Sequence, residues 1–388
     1  MSLMATAAGP WVIVGSIALG IGLTLFLLVR FAIPFGFKVL GVTPPWQPTP
    51  SPTASPRPTP TPHPLQNANL STLQVEILFS EQYVSDIYRY GDYIYYTAGK
   101  DDAGGPRMKA LVKRQLETAE ETVLADTLNN DELFEPQVND SYIVWLDHKL
   151  IGGGSIYARD TRTDETFEVK RYYAGKPRLT LTGSALVWTE RTGTYMDKVY
   201  LFDLETRECV VLDMLENSPF GTSSSSANKD RAIWASYDPN ASSEDKTQLK
   251  GAIYSAFIDG SGKTESYSPD MYVHDPKING EGAIAWLDAN HSEQSALYIK
   301  LPNGSKPVLI ASGVTDYEMG GDFVAYTKDE TLHVYIYGRE PFDKTLTLDG
   351  ERALLIGVSD DTVFWYHLGL GSKDIVKFVS LKDGEVKS

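Results

Sequence analysis

One short segment recurs along this chain and limits the folds that it can adopt. Residues 139–146 read Asn-Asp-Ser-Tyr-Ile-Val-Trp-Leu, a polar turn followed by an apolar run with one aromatic residue. Copies of this pattern recur at intervals of 39 to 52 residues through the rest of the chain. The equivalent aromatic positions, here called the anchors, are Tyr96, Trp145, Trp188, Trp234, Trp286, Tyr326 and Trp365. A repeat of this length is typical of the four-stranded blades of a β-propeller.

Each copy has the same order of local signals. A turn containing Gly, Asn or Asp precedes four or five residues that are apolar on both faces, as expected for a strand between two sheets. A further strand with an apolar-Tyr pair follows, for example Ile156-Tyr157, and then a turn and a last strand. With the strand before the polar turn, each unit has four strands. The sequence therefore predicts an all-β fold, a seven-bladed β-propeller of four-stranded antiparallel blades over residues 70–388.

A ring of blades needs a closure between its first and last members. Residues 73–79 read as a strand ahead of the first repeat, and the final repeat ends with the strand-like residues 373–381. We predict that the early strand completes the last blade, because stacking buries both faces of every sheet only when the ring is closed.

The N-terminal part differs in composition from the repeats. Residues 11–29 are nineteen residues without a charge, long enough for one transmembrane α-helix, after an N-terminal tail of residues 1–10. The alternative is a cleaved signal peptide, but no Lys or Arg precedes the apolar run. We expect an uncleaved anchor with an interfacial collar over residues 11–42.

A Pro/Thr/Ser-rich linker is predicted over residues 43–69. Ten of the 22 prolines lie between residues 43 and 64, which favours an extended polyproline II spacer.

Two signals for the membrane orientation disagree. Arg30 and Lys38 follow the apolar run and, by the positive-inside rule, favour a cytoplasmic repeat domain. The linker, in contrast, has the composition of a stalk on the outer face of the membrane, and this favours an external repeat domain. We therefore expect a single-pass protein of the cell membrane with its propeller on the extracytoplasmic side.

The distribution of charge excludes some partners. All 51 Asp and Glu residues lie from Glu76 onward, together with all but three of the 35 Lys and Arg, so this part carries a net charge of about −19. Nucleic acids and anionic lipid surfaces bind basic patches, so no nucleic-acid partner is expected. Cys209 is the one cysteine and cannot form an intrachain disulfide.

Two repeats carry a more specific pattern. Residues 143–147 read Ile-Val-Trp-Leu-Asp before a Gly-rich loop and Ile156-Tyr157, and residues 284–288 read Ile-Ala-Trp-Leu-Asp before Leu297-Tyr298. This order resembles the repeats of TolB-like bacterial envelope propellers, over residues 73–388. The resemblance implies a β-propeller that binds proteins or envelope components outside the cytoplasmic membrane.

The loops that follow the anchor strands should all emerge on one face of the ring. Loops on one face of a rigid scaffold are common binding surfaces. Acidic loops can also bind calcium through oxygen atoms, but no compact Asp-x-Asp-x-Asp spacing is present, so we expect neither a metal nor a cofactor. The candidate binding residues are Asp147, His148, Asp238, Asp288, His291, Asp329 and His367.

No catalytic motif is evident. His-Glu-x-x-His, Gly-x-Ser-x-Gly and Cys-x-x-Cys are absent, and Asp259-Gly-Ser-Gly-Lys-Thr264 fits a hairpin turn better than a phosphate-binding loop. The sequence therefore predicts a membrane-anchored, non-catalytic propeller that binds a protein or an envelope glycan. The alternative is an extracytoplasmic hydrolase or lyase with acidic residues around the channel. Paired carboxyl groups with raised pKa values in that channel would favour the enzyme.

Overall fold

A computed structural model describes residues 75–381, except 79–82, 103–104, 129–130, 150, 195, 217–220, 239–248, 290–294, 303, 305, 339, 348–349, 360 and 368–374. The chain divides into two compact units, Met1–Thr61 and Pro62–Ser388, and every described residue belongs to the second. The predicted anchor at residues 11–29 and the linker at residues 43–69 lie outside the described residues. Within the described residues no helix is long and apolar enough to cross a membrane.

The described residues form 27 β-strands and no α-helix. In chain order the strands are β1 (Val75–Leu78), β2 (Tyr83–Tyr90), β3 (Tyr93–Asp102), β4 (Gly105–Gln115), β5 (Glu121–Asp126), β6 (Glu132–Val138), β7 (Tyr142–His148), β8 (Gly154–Asp160), β9 (Thr166–Tyr172), β10 (Leu179–Thr182), β11 (Ala185–Arg191), β12 (Met196–Asp203), β13 (Glu208–Glu216), β14 (Ser226–Ala227), β15 (Arg231–Asp238), β16 (Lys250–Phe257), β17 (Thr264–Tyr267), β18 (Val273–Ile278), β19 (Ile284–Asp288), β20 (Ser295–Lys300), β21 (Val308–Met319), β22 (Phe323–Lys328), β23 (Thr331–Ile336), β24 (Phe342–Thr345), β25 (Ala353–Ser359), β26 (Thr362–His367) and β27 (Ile375–Ser380).

The strands form an all-β propeller of antiparallel sheets. Five sheets have four strands each: β2–β5, β6–β9, β10–β13, β14–β17, and β25–β27 with β1. The sixth sheet contains the seven strands β18–β24. The prediction of seven separate four-stranded blades is therefore wrong in its count, since the part of the chain that the structure describes contains five such blades. The four-stranded antiparallel blade itself is confirmed.

The seven-stranded sheet results from one continuous strand, β21. Its first part pairs with β20 through Val308–Val314, and its second part pairs with β22 through Val314–Met319. Gly313 has φ of 82° and lies next to the register shift between Val314 and Asp316, so the strand bends without a break in its pairing. No polar turn separates the two parts, and the sequence pattern therefore did not show that the two repeats share a sheet.

The first strand of each repeat lies next to the central channel, and we call these the inner strands. They are β2, β6, β10, β14, β18, the second part of β21, and β25. Each inner strand contacts the next in this order, and β25 contacts β2, so the inner strands form a closed ring. This ring positions residues from distant parts of the sequence around one channel.

The anchors are the main packing residues of the ring. Every anchor lies on the strand beside an inner strand, and all seven are at most 3% exposed. Each packs against the sheet of the preceding repeat: Trp188 shares a core with Val144 and Ile156, for example, and Tyr96 shares one with Phe364 of the last repeat. The anchors therefore hold successive sheets face to face, as the repeat pattern predicts.

The predicted closure of the ring is confirmed. Strand β1 pairs antiparallel with β27 from Val75 opposite Phe378 to Leu78 opposite Ile375. The strand ahead of the first repeat thus becomes the outer strand of the last blade.

Removal of this strand should weaken the whole ring. Deleting residues 70–80 leaves the edge of β27 unpaired, and losing roughly four backbone hydrogen bonds at ~0.5–1.5 kcal/mol each should lower the free energy of unfolding by about 2–6 kcal/mol. Thermal unfolding of the full chain measures the effect. Deleting residues 43–53 of the linker is the control and should leave the transition in place. An unchanged transition after the first deletion would contradict the role of β1 in closure.

Asparagine side chains connect the turns of neighbouring repeats. In three repeats the Asn Oδ1 accepts backbone N–H groups of its own turn, and the Asn Nδ2 donates to a backbone carbonyl of the following repeat. The three Nδ2 donors and their carbonyl acceptors are Asn139 with Gly183 (2.8 Å), Asn228 with Asn279 (2.9 Å) and Asn279 with Gly321 (2.5 Å). The polar turns are therefore also contacts between repeats.

Candidate active site

A large cavity occupies the ring of inner strands. Its volume is about 1270 Å³, and its lining comes from the inner strands and the turns that follow them. The lining includes Ser85 and Glu135 within inner strands and Arg178 directly before β10, and it continues to turn residues such as Gly280 and Gly321. In an antiparallel sheet these turns lie at the opposite end from the loops after the anchor strands. The cavity therefore extends toward the face opposite the predicted binding loops.

Three inner strands contain a bulge opposite their anchor. The ladder shifts register between Ser85 and Tyr88, between Phe134 and Gln137, and between His274 and Lys277. The first extra residue of each bulge is acidic and has positive φ: Asp86 (48°), Glu135 (53°) and Asp275 (48°). A bulge redirects a side chain out of the regular alternation, and positive φ is strained for a residue with a Cβ. The bulges therefore take these three carboxyl groups out of the regular alternation, and two of them, Asp86 and Glu135, line the cavity.

Asp86 and Glu135 form a pair on adjacent inner strands. The Glu135 N–H donates to Asp86 Oδ2 at 3.3 Å, and both residues line the cavity. Burial, and then the charge of Asp86, raises the pKa of Glu135 to about 7. Burial also raises the pKa of Asp86, against the hydrogen bond from Glu135 N–H. The two carboxyl groups therefore titrate as a coupled pair, and each is harder to ionise than a free carboxyl group.

An ion pair spans the channel beside these carboxyl groups. Arg178 Nη1 lies 2.6 Å from Glu318 Oε1, and Lys277 Nζ lies 2.7 Å from Glu318 Oε2. Arg178 directly precedes β10 and Glu318 lies on β21, so two other inner strands, β14 and β18, separate them around the ring. Burial acts to raise the pKa of Glu318, but Lys277 and Arg178 outweigh it, and the net pKa is lowered. Two cations thus share one ionised carboxylate across the channel.

Asp275 is held in a different environment from the other bulge acids. Its Oδ1 accepts from the N–H of Ser224 (2.6 Å) and from the Ser224 hydroxyl (2.8 Å), and its Oδ2 lies 3.0 Å from His274 Nδ1. Burial acts to raise its pKa, but these hydrogen bonds lower it overall, so Asp275 stays ionised. Ser224 and His274 both contact the carboxylate, and this arrangement is not a Ser-His-Asp triad, in which the serine must contact the histidine.

The predicted binding residues occupy other positions. Six of the seven lie in the described part of the chain, each near the end of an anchor strand, and His291 lies outside it. None of these six lines the cavity. Their surroundings are as follows: Asp147 is buried in β7 and accepts from Leu128 N–H (2.8 Å), His148 Nδ1 lies 3.0 Å from Tyr172 Oη, Asp238 is exposed at the end of β15, Asp288 accepts from Tyr272 N–H (3.2 Å), Asp329 is exposed in a turn, and His367 Nδ1 lies 2.8 Å from Glu351 Oε1.

The placement of Asp147 corrects one expectation. We predicted a loop carboxylate available to a ligand, whereas Asp147 is 0% exposed and satisfies a backbone donor inside the fold. The reason is that the strand continues past the anchor for three residues, to His148. Binding by the other candidates stays a prediction. No group of three His, Cys, Asp or Glu suited to a metal is found among the residues that the structure describes.

Sequence reasoning missed the channel residues, although a signal was present. The position ten residues before the anchor falls on the inner strand or next to it. That position carries Asp86, Glu135, Arg178, Ser224 and Asp316 in five repeats, and Asp275 is eleven residues before its anchor. Polar residues, most of them charged, at a fixed offset before the anchor could have indicated a channel site.

Comparison with known proteins supports the propeller. No family model matches the sequence, and no curated protein matches it. Among solved structures, the β-propeller domain of the Trilobed protease from Pyrococcus furiosus has a TM-score of 0.58 and 15% identity, covering 79% of this chain and 100% of that domain. A prolyl endopeptidase has a TM-score of 0.55 and 15% identity, covering 79% of this chain and 49% of that one. The present chain thus spans about half the length of that enzyme.

A third similar structure is oligogalacturonate lyase in complex with manganese, with a TM-score of 0.50 and 12% identity, covering 80% of this chain and 98% of that one. At such identities the likeness shows the fold, and the resemblance to TolB-like proteins is confirmed only as a resemblance between propellers. The prediction of a protein that is not an enzyme is contradicted, because these similar structures are peptidases and a lyase. The carboxyl pair that we named as the mark of an enzyme is also present in the channel.

Proposed function

We propose that this protein is an enzyme, a hydrolase or a lyase, whose reaction takes place in the channel at Asp86 and Glu135. The observation that carries the proposal is the pair itself: two adjacent carboxyl groups with raised pKa values in the wall of a cavity of about 1270 Å³. Perturbed carboxyl groups in a cleft are candidates for acid–base catalysis. The fold shared with peptidases and a lyase is compatible with this function.

The pair can supply both an acid and a base near neutral pH. When one group is ionised and the other protonated, the ionised carboxylate can accept a proton from water or from a carbon next to a carbonyl group, and the protonated group can donate to a leaving group. Proton abstraction from water leads to hydrolysis, and proton abstraction from the carbon leads to elimination. Both reactions need the same two groups, so the pair alone supports either class.

Activity should depend on pH in a defined way. The reaction requires one protonated and one ionised carboxyl group, so the rate should fall above pH of about 7, where Glu135 loses its proton, and again at acid pH, where both groups are protonated.

The proposed function is tested by incubating the purified full chain, in detergent, with a panel of peptides and envelope-type oligosaccharides, including uronate-containing ones. If the substrate is cleaved without the addition of water and one product contains a new double bond, the enzyme is a lyase. Absence of turnover across the panel would count against the proposal.

We also propose the cellular setting that the sequence favours. Residues 11–29 would anchor the chain in the membrane, residues 43–69 would act as a spacer, and the propeller would meet an envelope glycan or protein on the extracytoplasmic side. The length of the apolar run and the proline-rich composition support this. Protease added to intact cells should remove the propeller domain, and complete protection would contradict the orientation.

We propose further that the seven-stranded sheet corresponds to two repeats that share β21. Its two anchors, Trp286 and Tyr326, and the change of pairing partner within β21 support two units, which would give seven repeats in the ring. A crystal structure with residues 308–319 split between two sheets would agree with this. A crystal structure in which residues 308–319 lie in one flat sheet that belongs to a single repeat would contradict it.

A further inference from the structure

The three most exposed large apolar side chains of the described residues lie on the face where the loops after the anchor strands emerge. They are Ile151 (87% exposed), Tyr173 (73%) and Leu128 (64%). Leu128 follows β5, Ile151 lies between β7 and β8, and Tyr173 follows β9, so all three stand at strand ends of two adjacent repeats. None of them lines the cavity. We call these three residues the loop patch.

A glycine turn holds Ile151 beside Tyr173. The Lys149 N–H donates to the Gly153 carbonyl at 2.8 Å, and this bond closes the turn that carries Ile151. Gly153 has φ of 80°, and a Cβ at this position would lie 2.0 Å from the Tyr172 carbonyl oxygen and 2.7 Å from Tyr173 Cα. Only glycine allows the turn to pack so closely against the end of β9. The backbone therefore keeps Ile151 exposed in a fixed place.

Leu128 reaches the same strand end from the preceding repeat. Its N–H donates to Asp147 Oδ2 at 2.8 Å, and Asp147 lies two residues before Lys149, where the turn begins. Singly exposed apolar residues are common on protein surfaces, whereas a group of them marks an interaction surface. The loop patch is such a group.

The charge around the loop patch differs from that of the rest of the folded chain. The charged side chains of this region are the ion pairs Arg107–Asp131 (3.9 Å) and Arg171–Glu168 (3.1 Å), together with Glu132, Lys149 and Lys176. They give a local charge of about +1, whereas the chain from Glu76 onward carries about −19. Lys149 lies in the same turn as Ile151 and is exposed. A segment that is both apolar and acidic would therefore complement the loop patch and be repelled by most of the remaining surface.

We propose that the loop patch is a docking surface for an acidic, apolar peptide segment of a partner protein. Ile151, Tyr173 and Leu128 would be covered by apolar side chains of the segment, and Lys149 and Lys176 would face its carboxylates. The net negative charge of the chain argues against an anionic lipid surface as the occupant. The inference is independent of the reaction proposed for the channel, because the loop patch and the cavity share no residue.

The test is selection of random displayed peptides on the full chain in phosphatidylcholine nanodiscs. The selected peptides should be rich in Asp, Glu and large apolar residues. Selection of basic peptides would mean that the overall charge governs binding, and either this result or no enrichment would overturn the inference. Affinity of a labelled selected peptide is then measured by fluorescence anisotropy.

Variants of the loop patch decide where the peptide binds. Ile151→Ser and Tyr173→Ser should each weaken binding about tenfold, and Lys149→Glu should weaken it while leaving every apolar side chain in place. Met214→Ser is the matched control, since Met214 is 61% exposed on β13 of another repeat, and it should bind as the unchanged protein does. Unchanged affinity in the three patch variants would overturn the inference. Thermal unfolding of each variant shows that it is folded.

A second measurement tests the lipid alternative. An environment-sensitive fluorophore is attached in the variant Ile151→Cys, with Cys209→Ser, and titrated with vesicles of phosphatidylcholine and phosphatidylglycerol. Unchanged fluorescence agrees with a protein partner, and a blue shift would assign the surface to lipid and overturn the proposal. Turnover of any substrate found for the channel should be the same in the patch variants. Peptide binding without turnover in the substrate panel would contradict only the proposed enzyme.

Discussion

Replacing Glu135 with glutamine should lower kcat/KM on the substrate class that the panel identifies by roughly 10²–10⁴-fold, the usual contribution of general acid–base catalysis. Glutamine has nearly the same shape as glutamate but neither binds nor releases a proton in this range. The Glu135 N–H contact with Asp86 comes from the backbone and is retained. The loss should therefore be in chemistry, and the steady-state rate of the purified variant measures it.

Glu281→Gln is the control for this result. Glu281 also lines the cavity but lies exposed in the turn after β18, away from the carboxyl pair, and its replacement should leave the rate unchanged. Equal losses in both variants would mean that cavity charge in general, and not the pair, is required. Full activity of Glu135→Gln would remove this residue from the mechanism.

The same variant has a second signature in stability. The pKa of Glu135 is raised from 4.5 to about 7 in the folded state, so the unfolded chain binds fewer protons between these values and folding stability decreases as pH rises through them. Glu135→Gln removes this dependence. The variant should gain stability relative to the unchanged protein above pH of about 7, as measured by denaturant unfolding at several pH values.

Replacing Trp188 with alanine should lower the free energy of unfolding by about 3–5 kcal/mol, the usual cost of truncating a buried aromatic residue. Trp188 is 0% exposed, stacks on Tyr200 with ring centroids 5.2 Å apart, and packs against the sheet of the preceding repeat. Its loss leaves a cavity between two sheets that the rest of the ring holds in place. Chemical denaturation at neutral pH measures the change.

Two further variants show what the anchor contributes. Trp188→Phe keeps an aromatic ring in the same core and should cost less than the alanine variant. Tyr173→Ala removes an aromatic side chain that is 73% exposed and should change stability little. If all three variants had similar stability, the anchors would not be the principal contacts between sheets.

The fold was largely predictable because its signals are local and periodic. A polar turn, an apolar run and an anchor recur in each repeat, and burial of an anchor depends mainly on its own strand and on the neighbouring sheet. The closure by β1 followed from the same reasoning, since an unpaired strand at the start and an incomplete last repeat can satisfy each other. The shared strand β21 could not be foreseen, because the chain bends at Gly313 and passes from one repeat to the next without leaving the strand.

The channel residues were harder to predict, because the sequence directed attention to the loops on the opposite face of the ring. Acidic loops after the anchor strands are easy to identify in the sequence, but Asp147 proved to be buried and none of the six described candidates lines the cavity. Asp86 and Glu135 lie within strands, and an acidic residue in a predicted strand is usually interpreted as part of its polar, solvent-exposed face. Only the bulges, which regular alternation does not reveal, place them in the channel wall.

The sequence by itself determined that this chain forms repeated antiparallel sheets packed through aromatic anchors, because burial of apolar side chains at a fixed period permits few other arrangements. The tertiary structure alone decided the chemistry of the channel. Arg178 and Glu318 are 140 residues apart and meet only because the ring closes. The raised pKa values of Asp86 and Glu135 depend on burial and on charges from several strands, and these are properties of the assembled ring.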